Sequence, residues 1–372
     1  MNFIIKQNIL MEQLNNAIKG VSNKNLIPIL NCIKFELTKD GLYLLSTDNE
    51  MAIRTFLPKE KIEEIISLGE VVVSGRYIYE IVKKLPNEVI TIEEVAGSKL
   101  FITTTNTEFN LNCNNANDFP NLELETKENP IVITEADFKA MVNQTSFASS
   151  LQESRPILTG INFLIRNSSI ECTATDSYRL SKRKIDLKST EEENNLIIPN
   201  RTLVELTKLL VEDENEMEMH IFTNKVIFRF DNIEFLTRLI SGTFPDTEKL
   251  IPESFELELK VSYRDIFGAI DRASLLSSGD DKNTLLFELK NDVIKISSNI
   301  PEIGMVEEKI KVVDKKGDDL TISFSSKFMT DALRAINSEF VVLKFNGDIK
   351  PIIIVDPNNT LLTELIVPIR TY

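Results

Sequence analysis

The sequence has one histidine and three cysteines in 372 residues, and this scarcity excludes several kinds of site. Because His220 is the sole imidazole, metal sites built from several histidines are excluded. It lies in an alternating, acidic strand pattern, so we expect its side chain to face solvent. Cys32, Cys113 and Cys172 are far apart and lack the paired spacing of a metal site or a local disulfide. We expect them to be small buried hydrophobic residues.

Long apolar runs and excess positive charge are also missing. No run reaches 18 apolar residues, and the segment 1–6 lacks the features of a signal peptide, so we expect a cytoplasmic protein. There are 42 Lys and Arg residues against 57 Asp and Glu, a net charge of −15. Because non-specific affinity for nucleic acid comes from neutralising phosphates, this charge argues at first against a DNA partner.

The same succession of elements occurs three times, at spacings of about 125 residues. Arg76 corresponds to Arg201 and Lys327, and Phe119 corresponds to Phe244. A period of this length indicates tandem domains rather than a solenoid. We therefore predict three domains, 1–124, 125–252 and 253–372.

Each repeat is predicted to contain a strand, a helix, three strands, a second helix and three further strands. Apolar residues at helical spacing predict six helices, at 9–21, 77–85, 135–146, 202–210, 263–273 and 328–336. The strand patterns mostly alternate between apolar and polar residues, which is typical of an antiparallel sheet covered on one face by helices. The predicted fold class is α+β.

Charge is distributed unevenly between the elements. The six predicted helices with their caps hold twelve basic and eight acidic residues, although the whole chain is strongly acidic. If the helices share one surface, that surface is mildly positive and can attract a polyanion. Ordinary solvated helix faces explain the same count equally well.

Four segments of the sequence resemble the β sliding clamp family, the processivity subunits of bacterial DNA polymerase III. These segments are 155–160, 175–180, 244–247 and 367–372, and the resemblance extends over the whole chain. It implies three tandem copies of a DNA-clamp domain in a ring-shaped head-to-tail homodimer. Antiparallel sheets would form the outside of the ring, and two helices per domain would line a central hole.

The function implied by the resemblance is topological. The ring would encircle duplex DNA without sequence preference and tether the replicative polymerase, as a non-catalytic subunit that needs no cofactor and no metal. Closure would prevent dissociation, which removes the objection from the negative net charge. The resemblance assigns DNA contacts to Lys24, Arg76 and Gln152, and the internal repeat adds Arg201 and Lys327.

The resemblance also implies a pocket for short linear peptides of polymerases, the clamp loader and repair polymerases. We expect Arg179 and Arg370 at its rim, and many family members carry His where Tyr178 stands. On the residues alone, an apolar core at a domain boundary explains these positions better. The matching residues are Arg155, Leu158, Thr175, Tyr178, Arg179, Leu180, Pro245, Leu250, Ile349, Pro351, Leu365, Ile366, Val367, Pro368, Ile369 and Arg370.

The family's dimer interface corresponds to Phe109 and Leu111 on one subunit and to Leu275 and Leu276 on the other. Taken alone, the alternation at Phe109 and Leu111 is more often that of a core strand. An exposed sheet edge needs a partner, which ring closure would supply.

Two other classes of function compete with a clamp. An enzyme could use Asp48 and Asp176 as acid–base or metal-binding carboxylates, but the third repeat has Ser298 and Asn299 there. Asp in a turn explains both positions better. A multidomain adaptor that binds peptides but not DNA is the second alternative.

Overall fold

The structure, a computed structural model, describes residues 1–22, 27–95, 99–166, 168–187, 193–276 and 283–370. The chain divides into two units. The first unit comprises Met1–Ala136 and Glu205–Leu239, and the second comprises Asp137–Val204 and Ile240–Tyr372. In the described residues, no helix combines the length and the apolar character needed to span a membrane.

The first repeat contains two helices, α1 (Gln7–Ala17) and α2 (Gly75–Lys84). Its strands are β1 (Asn2–Lys6), β2 (Cys32–Leu37), β3 (Gly41–Thr47), β4 (Met51–Pro58), β5 (Glu64–Ser67), β6 (Gly69–Ser74), β7 (Val89–Val95), β8 (Lys99–Thr103) and β9 (Glu108–Asn114).

The second repeat follows the same order with helices α3 (Glu135–Thr145) and α4 (Asn200–Thr207). Its strands are β10 (Ile131–Thr134), β11 (Gly160–Arg166), β12 (Ser169–Thr175), β13 (Arg179–Asp186), β14 (Asn194–Pro199), β15 (Glu216–Ile221), β16 (Lys225–Phe230) and β17 (Ile233–Arg238).

The third repeat contains helices α5 (Tyr263–Ser274) and α6 (Ser326–Arg334). Its strands are β18 (Leu257–Ser262), β19 (Thr284–Lys290), β20 (Val293–Ile300), β21 (Gly304–Lys311), β22 (Asp314–Lys316), β23 (Thr321–Ser325), β24 (Phe340–Phe345), β25 (Ile352–Asp356) and β26 (Asn359–Ile366).

All six predicted helices are present, but the prediction of three strands between the two helices of a repeat is wrong. At least four strands lie there in each repeat. The last of them ends where the second helix begins, as β6 does before α2, so no loop separates strand from helix in the sequence. Helices α1, α2, α4 and α6 also begin two residues before the predicted starts. In α6, the cap residue Ser325 accepts a hydrogen bond from the Phe328 N–H (3.4 Å).

Each unit contains a sheet to which two repeats contribute strands. In the first unit, thirteen strands run in the order β10-β15-β16-β17-β4-β3-β2-β6-β9-β8-β7-β1-β5. In the second, nine run in the order β14-β11-β12-β13-β26-β25-β24-β18-β22, beside a four-stranded sheet β21-β20-β19-β23. The β17–β4 and β13–β26 pairs are antiparallel and join successive repeats.

Helices α1, α2, α5 and α6 bury one face against strands of their own unit. In the first unit, Leu10 of α1 and Val82 of α2 belong to the same buried cluster as Phe35 of β2. In the second, Ile270 of α5 belongs to the cluster around Phe287, a ring that lies 5.7 Å from Phe345. These apolar contacts fix two helices of a repeat side by side on a sheet face, as an α+β domain requires.

The structure contradicts the prediction for His220 and largely confirms that for the cysteines. His220 is 3% exposed, its Nδ1 lies 3.1 Å from the Lys127 nitrogen, and its Nε2 lies 3.2 Å from Glu218. The alternation was correct, but the segment around Lys127 covers this position. Cys32 and Cys172 are buried, whereas Cys113 is half-buried.

The cysteines should therefore resist alkylation in the folded protein. Burial, with the nearby Glu94 carboxylate, raises the pKa of Cys113 to about 11. Since the thiolate is the reactive species, iodoacetamide at pH 8 should modify Cys113 on the order of a hundredfold more slowly than free cysteine. The rate should increase about tenfold per pH unit until the pH approaches this pKa.

Mass spectrometry of timed samples measures this rate, with the urea-unfolded chain as the control. Cys172 lies deeper, and burial raises its pKa well above the ordinary value, so it should stay unmodified until the chain unfolds. Rapid labelling of either thiol in the folded chain at pH 8 would contradict the described burial.

Candidate functional site

A tight turn before β13 positions the most exposed aromatic residue of the second repeat. Thr175 Oγ1 donates to the Arg179 carbonyl (2.6 Å), and Asp176 Oδ1 accepts from the backbone N–H groups of Tyr178 and Arg179 (2.9 and 3.0 Å). Ser177 has a positive φ of 79°. A short polar side chain suits this left-handed conformation, and the turn leaves Tyr178 63% exposed.

The first repeat builds the same turn before β4. Thr47 Oγ1 donates to the Met51 carbonyl (2.7 Å), and Asp48 Oδ1 accepts from Glu50 and Met51 (3.0 and 2.9 Å). Asn49 again has a positive φ, of 81°. Asp48 and its counterpart in the second repeat therefore hold backbone turns, as predicted. In the described residues no group of three or more His, Cys, Asp or Glu could bind a metal ion.

Arg179 is largely buried in the structure that supports the site, so the prediction that it lies at the rim is wrong. Its side chain is 10% exposed, its Nε donates to Asp176 Oδ2 (3.0 Å) and its Nη1 donates to Asp331 Oδ2 (2.7 Å). The guanidinium carbon lies 4.6 Å from the ring centre of Phe328 and 5.4 Å from that of Phe147. Ion pairing and ring stacking together hold Arg179 in one orientation.

A cavity of about 660 Å³ opens beside this arginine. The Val367 N–H donates to the Tyr178 carbonyl (2.9 Å), and the Ile369 N–H donates to the Ser323 carbonyl (2.8 Å), so both walls are fixed through the backbone. The cavity can accommodate an apolar side chain, with polar groups at its edge. It is lined by Tyr178, Asn283, Ser325, Lys327, Phe328, Val367, Pro368 and Ile369.

A second cavity, of about 460 Å³, shares Ile369 with the first. Ile349 is 60% exposed on its edge, and Arg370 and Asp348 supply opposite charges. The remaining lining residues are Leu286, Thr321, Ile322 and Ser323. Two adjoining cavities could receive successive side chains of one extended chain.

The predicted pocket residues divide into three groups in the structure. Six line the two cavities: Tyr178, Ile349, Val367, Pro368, Ile369 and Arg370. Buried members lie in the supporting structure: Thr175, Arg179, Leu180, Leu365 and Ile366, with Leu158 in a separate cluster with Ile197 and Phe244. The others line neither cavity: Pro245 and Leu250 are exposed, Pro351 is half-buried, and exposed Arg155 donates to Ser177 Oγ (3.3 Å).

Sequence reasoning missed several lining residues from the third repeat. Phe328 is the most important, because it contacts both the cavity and Arg179. It follows Lys327 at the start of a predicted helix, where an aromatic residue is expected in the core. Ser325 and Asn283 were also missed, because polar residues beside a helix start are typical of caps.

Four of the five predicted DNA-contacting residues lie in the described part of the chain, and all four are exposed. Arg76 lies in the first turn of α2, Arg201 in the first turn of α4, and Gln152 in the segment after α3. Lys327, in the first turn of α6, also lines the larger cavity. Lys24 lies outside the described residues.

Some of the acidic residues on the helices are withdrawn from solvent. Glu135 is 1% exposed and accepts from the Val211 N–H (2.9 Å), and Asp331 binds Arg179. The exposed helical surface is therefore less acidic than the composition of the helices suggests.

The predicted interface residues lie on β9 and directly after α5. Phe109 on β9 is 38% exposed, whereas Leu111 packs partly against the core of the first unit. Leu275, directly after α5, is 74% exposed, and its neighbour Leu276 is half-buried. β21 ends the four-stranded sheet, so one of its edges has no partner strand among the described residues.

Three family models of the DNA polymerase III beta subunit match the chain in tandem. The N-terminal domain model matches residues 1–123, the central domain model residues 132–246 and the C-terminal domain model residues 248–370.

Known proteins similar to the chain include sliding clamps of several bacteria. A beta sliding clamp of Staphylococcus epidermidis is 38% identical over the whole of both chains. The crystal structure of a Bacillus subtilis DNA polymerase sliding clamp is 38% identical with a TM-score of 0.96, and both chains are fully covered. A DNA polymerase III beta chain of Streptococcus pneumoniae is 32% identical with the same TM-score and coverage.

Removing one partner of Arg179 should destabilise the second unit. In Asp331→Asn the arginine keeps Asp176 but loses its shorter ion pair in a largely buried setting, and we expect a loss of about 3 kcal/mol. Urea unfolding followed by circular dichroism measures the change.

Asp319→Asn is the matched control for this variant. Asp319 pairs with Lys315 at 2.6 Å, but its side chain is 45% exposed, so its loss should shift the urea midpoint much less than the loss of Asp331 does. Equal shifts of the two midpoints would contradict the structural role of Arg179.

Proposed function

Because the chain belongs to the bacterial DNA polymerase III beta subunit family, the β sliding clamps, we propose that it closes around duplex DNA as a head-to-tail homodimer and holds its partners through the adjoining cavities. As a member of this family it is a non-catalytic processivity factor in DNA replication. The observation that carries the proposal is the match of three clamp domains in tandem over the full chain. The proposal retains the domain limits predicted from the repeat, 1–124, 125–252 and 253–372. It also includes a cytoplasmic location.

The proposed DNA contacts are weak and numerous. Arg76, Arg201, Gln152 and Lys327 would meet phosphates without reading bases, together with Lys24. Two features support this role. Basic residues at helix starts are exposed, and some helical carboxylates, such as that of Glu135, are buried and so do not face solvent. Since a closed ring does not need affinity to stay on DNA, a mildly positive surface is sufficient.

The dimer would be completed by strand edges and apolar contacts. The exposed Phe109 of one subunit would face Leu275 of the partner, and β21 would gain a neighbour strand. The edge of β21 without a partner among the described strands holds the exposed Met305 (62%), which supports such pairing, because open apolar edges otherwise promote aggregation.

A topological link makes a specific prediction for release from DNA. The chain, loaded onto a nicked plasmid by its clamp loader, should remain on the circle during gel filtration at moderate salt. Linearisation with a restriction enzyme should release it, because it can then slide off the ends. Persistence on the linear product would indicate gripping, and absence from the circle would favour the peptide-binding adaptor; either result would contradict the proposed clamp.

For the peptide site, the proposed ligand is a short linear segment with an apolar anchor side chain. The anchor would enter the larger cavity between Tyr178, Phe328 and Val367, and a following residue would reach the cavity at Ile349 and Arg370. Convergent apolar walls with charged groups at the edge support such a ligand.

Tyr178→Ala should weaken binding of a polymerase-derived peptide with Leu and Phe anchors by about tenfold, or about 1.4 kcal/mol, because it removes an aromatic wall of the cavity. Calorimetric titration measures the dissociation constant. Tyr77→Ala is a matched control, since Tyr77 is 61% exposed on α2 and lines neither cavity. An unchanged affinity in Tyr178→Ala would reject this site.

A further inference from the structure

The two strand pairs that join successive repeats differ at one buried position. In the β4–β17 pair, Ile53 lies opposite Phe235, and both side chains are 0% exposed. In the β13–β26 pair, the equivalent position holds Ser181 opposite Glu364, at 0% and 1% exposure. Ile53 and Ser181 are equivalent because each lies six residues after the threonine of the matching turn. We call each of these two inter-repeat strand pairs a joint. A buried acid thus replaces an apolar contact at the β13–β26 joint, which lies beside the cavities.

The two short contacts of Ser181 limit where the protons can lie. Its Oγ is 2.7 Å from the Gln144 carbonyl oxygen and 2.8 Å from Glu364 Oε1. A carbonyl oxygen only accepts, and a hydroxyl has one proton to donate. If Ser181 donates to Gln144, the short contact to Glu364 requires the carboxyl group to donate to Ser181.

The surrounding charges do not offer Glu364 an uncommitted cation on β13. Arg179 is engaged by Asp176 and Asp331, and Arg183 donates to Asn359 Oδ1 (2.9 Å) and is near Asp137. The remaining charged groups on adjacent elements are the buried Asp356 of β25, the buried Glu135 and half-buried Lys139 of α3, the outward Lys182, Lys184 and Asp186 of β13, and the exposed Lys327 and Arg334 of α6. Burial raises the pKa of Glu364 well above its ordinary value, although Ser181 and Arg179 act in the opposite direction.

We propose that Glu364 is a neutral carboxylic acid in the folded protein, and that Glu364, Ser181 and Gln144 form a proton-dependent strut that positions the cavity walls. Glu364 lies two residues before the end of β26, and Val367 follows that end directly. Ser181 lies two residues after Arg179. Gln144 Nε2 donates to the Ala335 carbonyl (3.0 Å) at the end of α6, so the strut connects α3, β13, β26 and α6.

The strut predicts a direction for the pH dependence of stability. The folded state binds this proton more tightly than the unfolded state, so its contribution to stability is complete below the unfolded pKa. Stability then falls as pH rises through the interval up to the raised folded pKa. Within that interval, this single group should increase the unfolding equilibrium constant by up to tenfold per pH unit.

Glu364→Gln tests the strut because a carboxamide has the same shape and donates to Ser181 without titrating. Its urea midpoint should equal or exceed that of the unmodified chain at pH 7, and the difference should grow with pH. The infrared difference spectrum between the two at pH 7 should contain the carbonyl band of a protonated carboxylic acid. A carboxylate band instead, or a Glu364→Gln variant that is less stable with an unchanged pH profile, would overturn the proposal.

Two further variants distinguish the strut from general loss of structure. Ser181→Ala should lower stability at every pH and weaken peptide binding, because it leaves Gln144 and Glu364 without their shared partner. Glu171→Gln, which removes a half-buried carboxylate paired with Lys182 on the same sheet, should leave the infrared band in place.

The effect on ligands rests on the proposed peptide site, whereas the infrared and stability measurements need no peptide. If Glu364 is neutral, peptide affinity in the unmodified chain should fall at high pH, and Glu364→Gln should remove that fall. A protonated Glu364 with no effect on a peptide that Tyr178→Ala weakens would contradict the positioning role alone. Failure of the Tyr178 test would reject the peptide site and leave the protonation result standing.

Discussion

Antiparallel pairing between strands of successive repeats is the constraint on which the rest of the structure depends. A sheet edge exposes unpaired backbone groups and must be covered or paired. The chain pairs β17 with β4 and β26 with β13, so the last strand of one repeat lies against the fourth strand of the preceding repeat. Each pairing brings the turn before the earlier strand beside the residues that follow the later one, and the larger cavity forms at one of these places.

The same backbone arrangement gives different surfaces at the two joints. The turns at Asp48 and Asp176 share their hydrogen bonds, but Met51 stands where Arg179 stands in the next repeat. The cavity at the first joint is smaller, about 300 Å³, and Lys225 and Glu123 form an ion pair at its edge (3.1 Å). An apolar anchor side chain would gain little there. The two strand pairs share their backbone structure, so their side chains determine which of them can bind a ligand.

Periodicity in the sequence was sufficient for the helices, the repeat and the class of fold, since these follow from local patterns. It was insufficient where one repeat covers another. The burial of His220 depends on the segment near Lys127, and the burial of Arg179 depends on Asp331 and Phe328, more than 140 residues away. Glu364 lies in an alternating strand whose acidic residue is expected in solvent, and β13 buries it. Phe328 lies in the first turn of α6, the second helix of its repeat. Predicting its role would have required the assumption that residues of this turn are exposed to a ligand and do not belong to the core.

The central claim is that two copies of this chain pair with one another, in part through the edge of β21 that has no partner strand in the described part of the chain. Sedimentation velocity over a range of concentrations tests it most directly, because it reports the mass of the particle without DNA or peptide. The account predicts a species near twice 42.3 kDa. This species should persist on dilution until the concentration approaches the dissociation constant of the dimer. A particle of 42.3 kDa at the highest concentrations would contradict it.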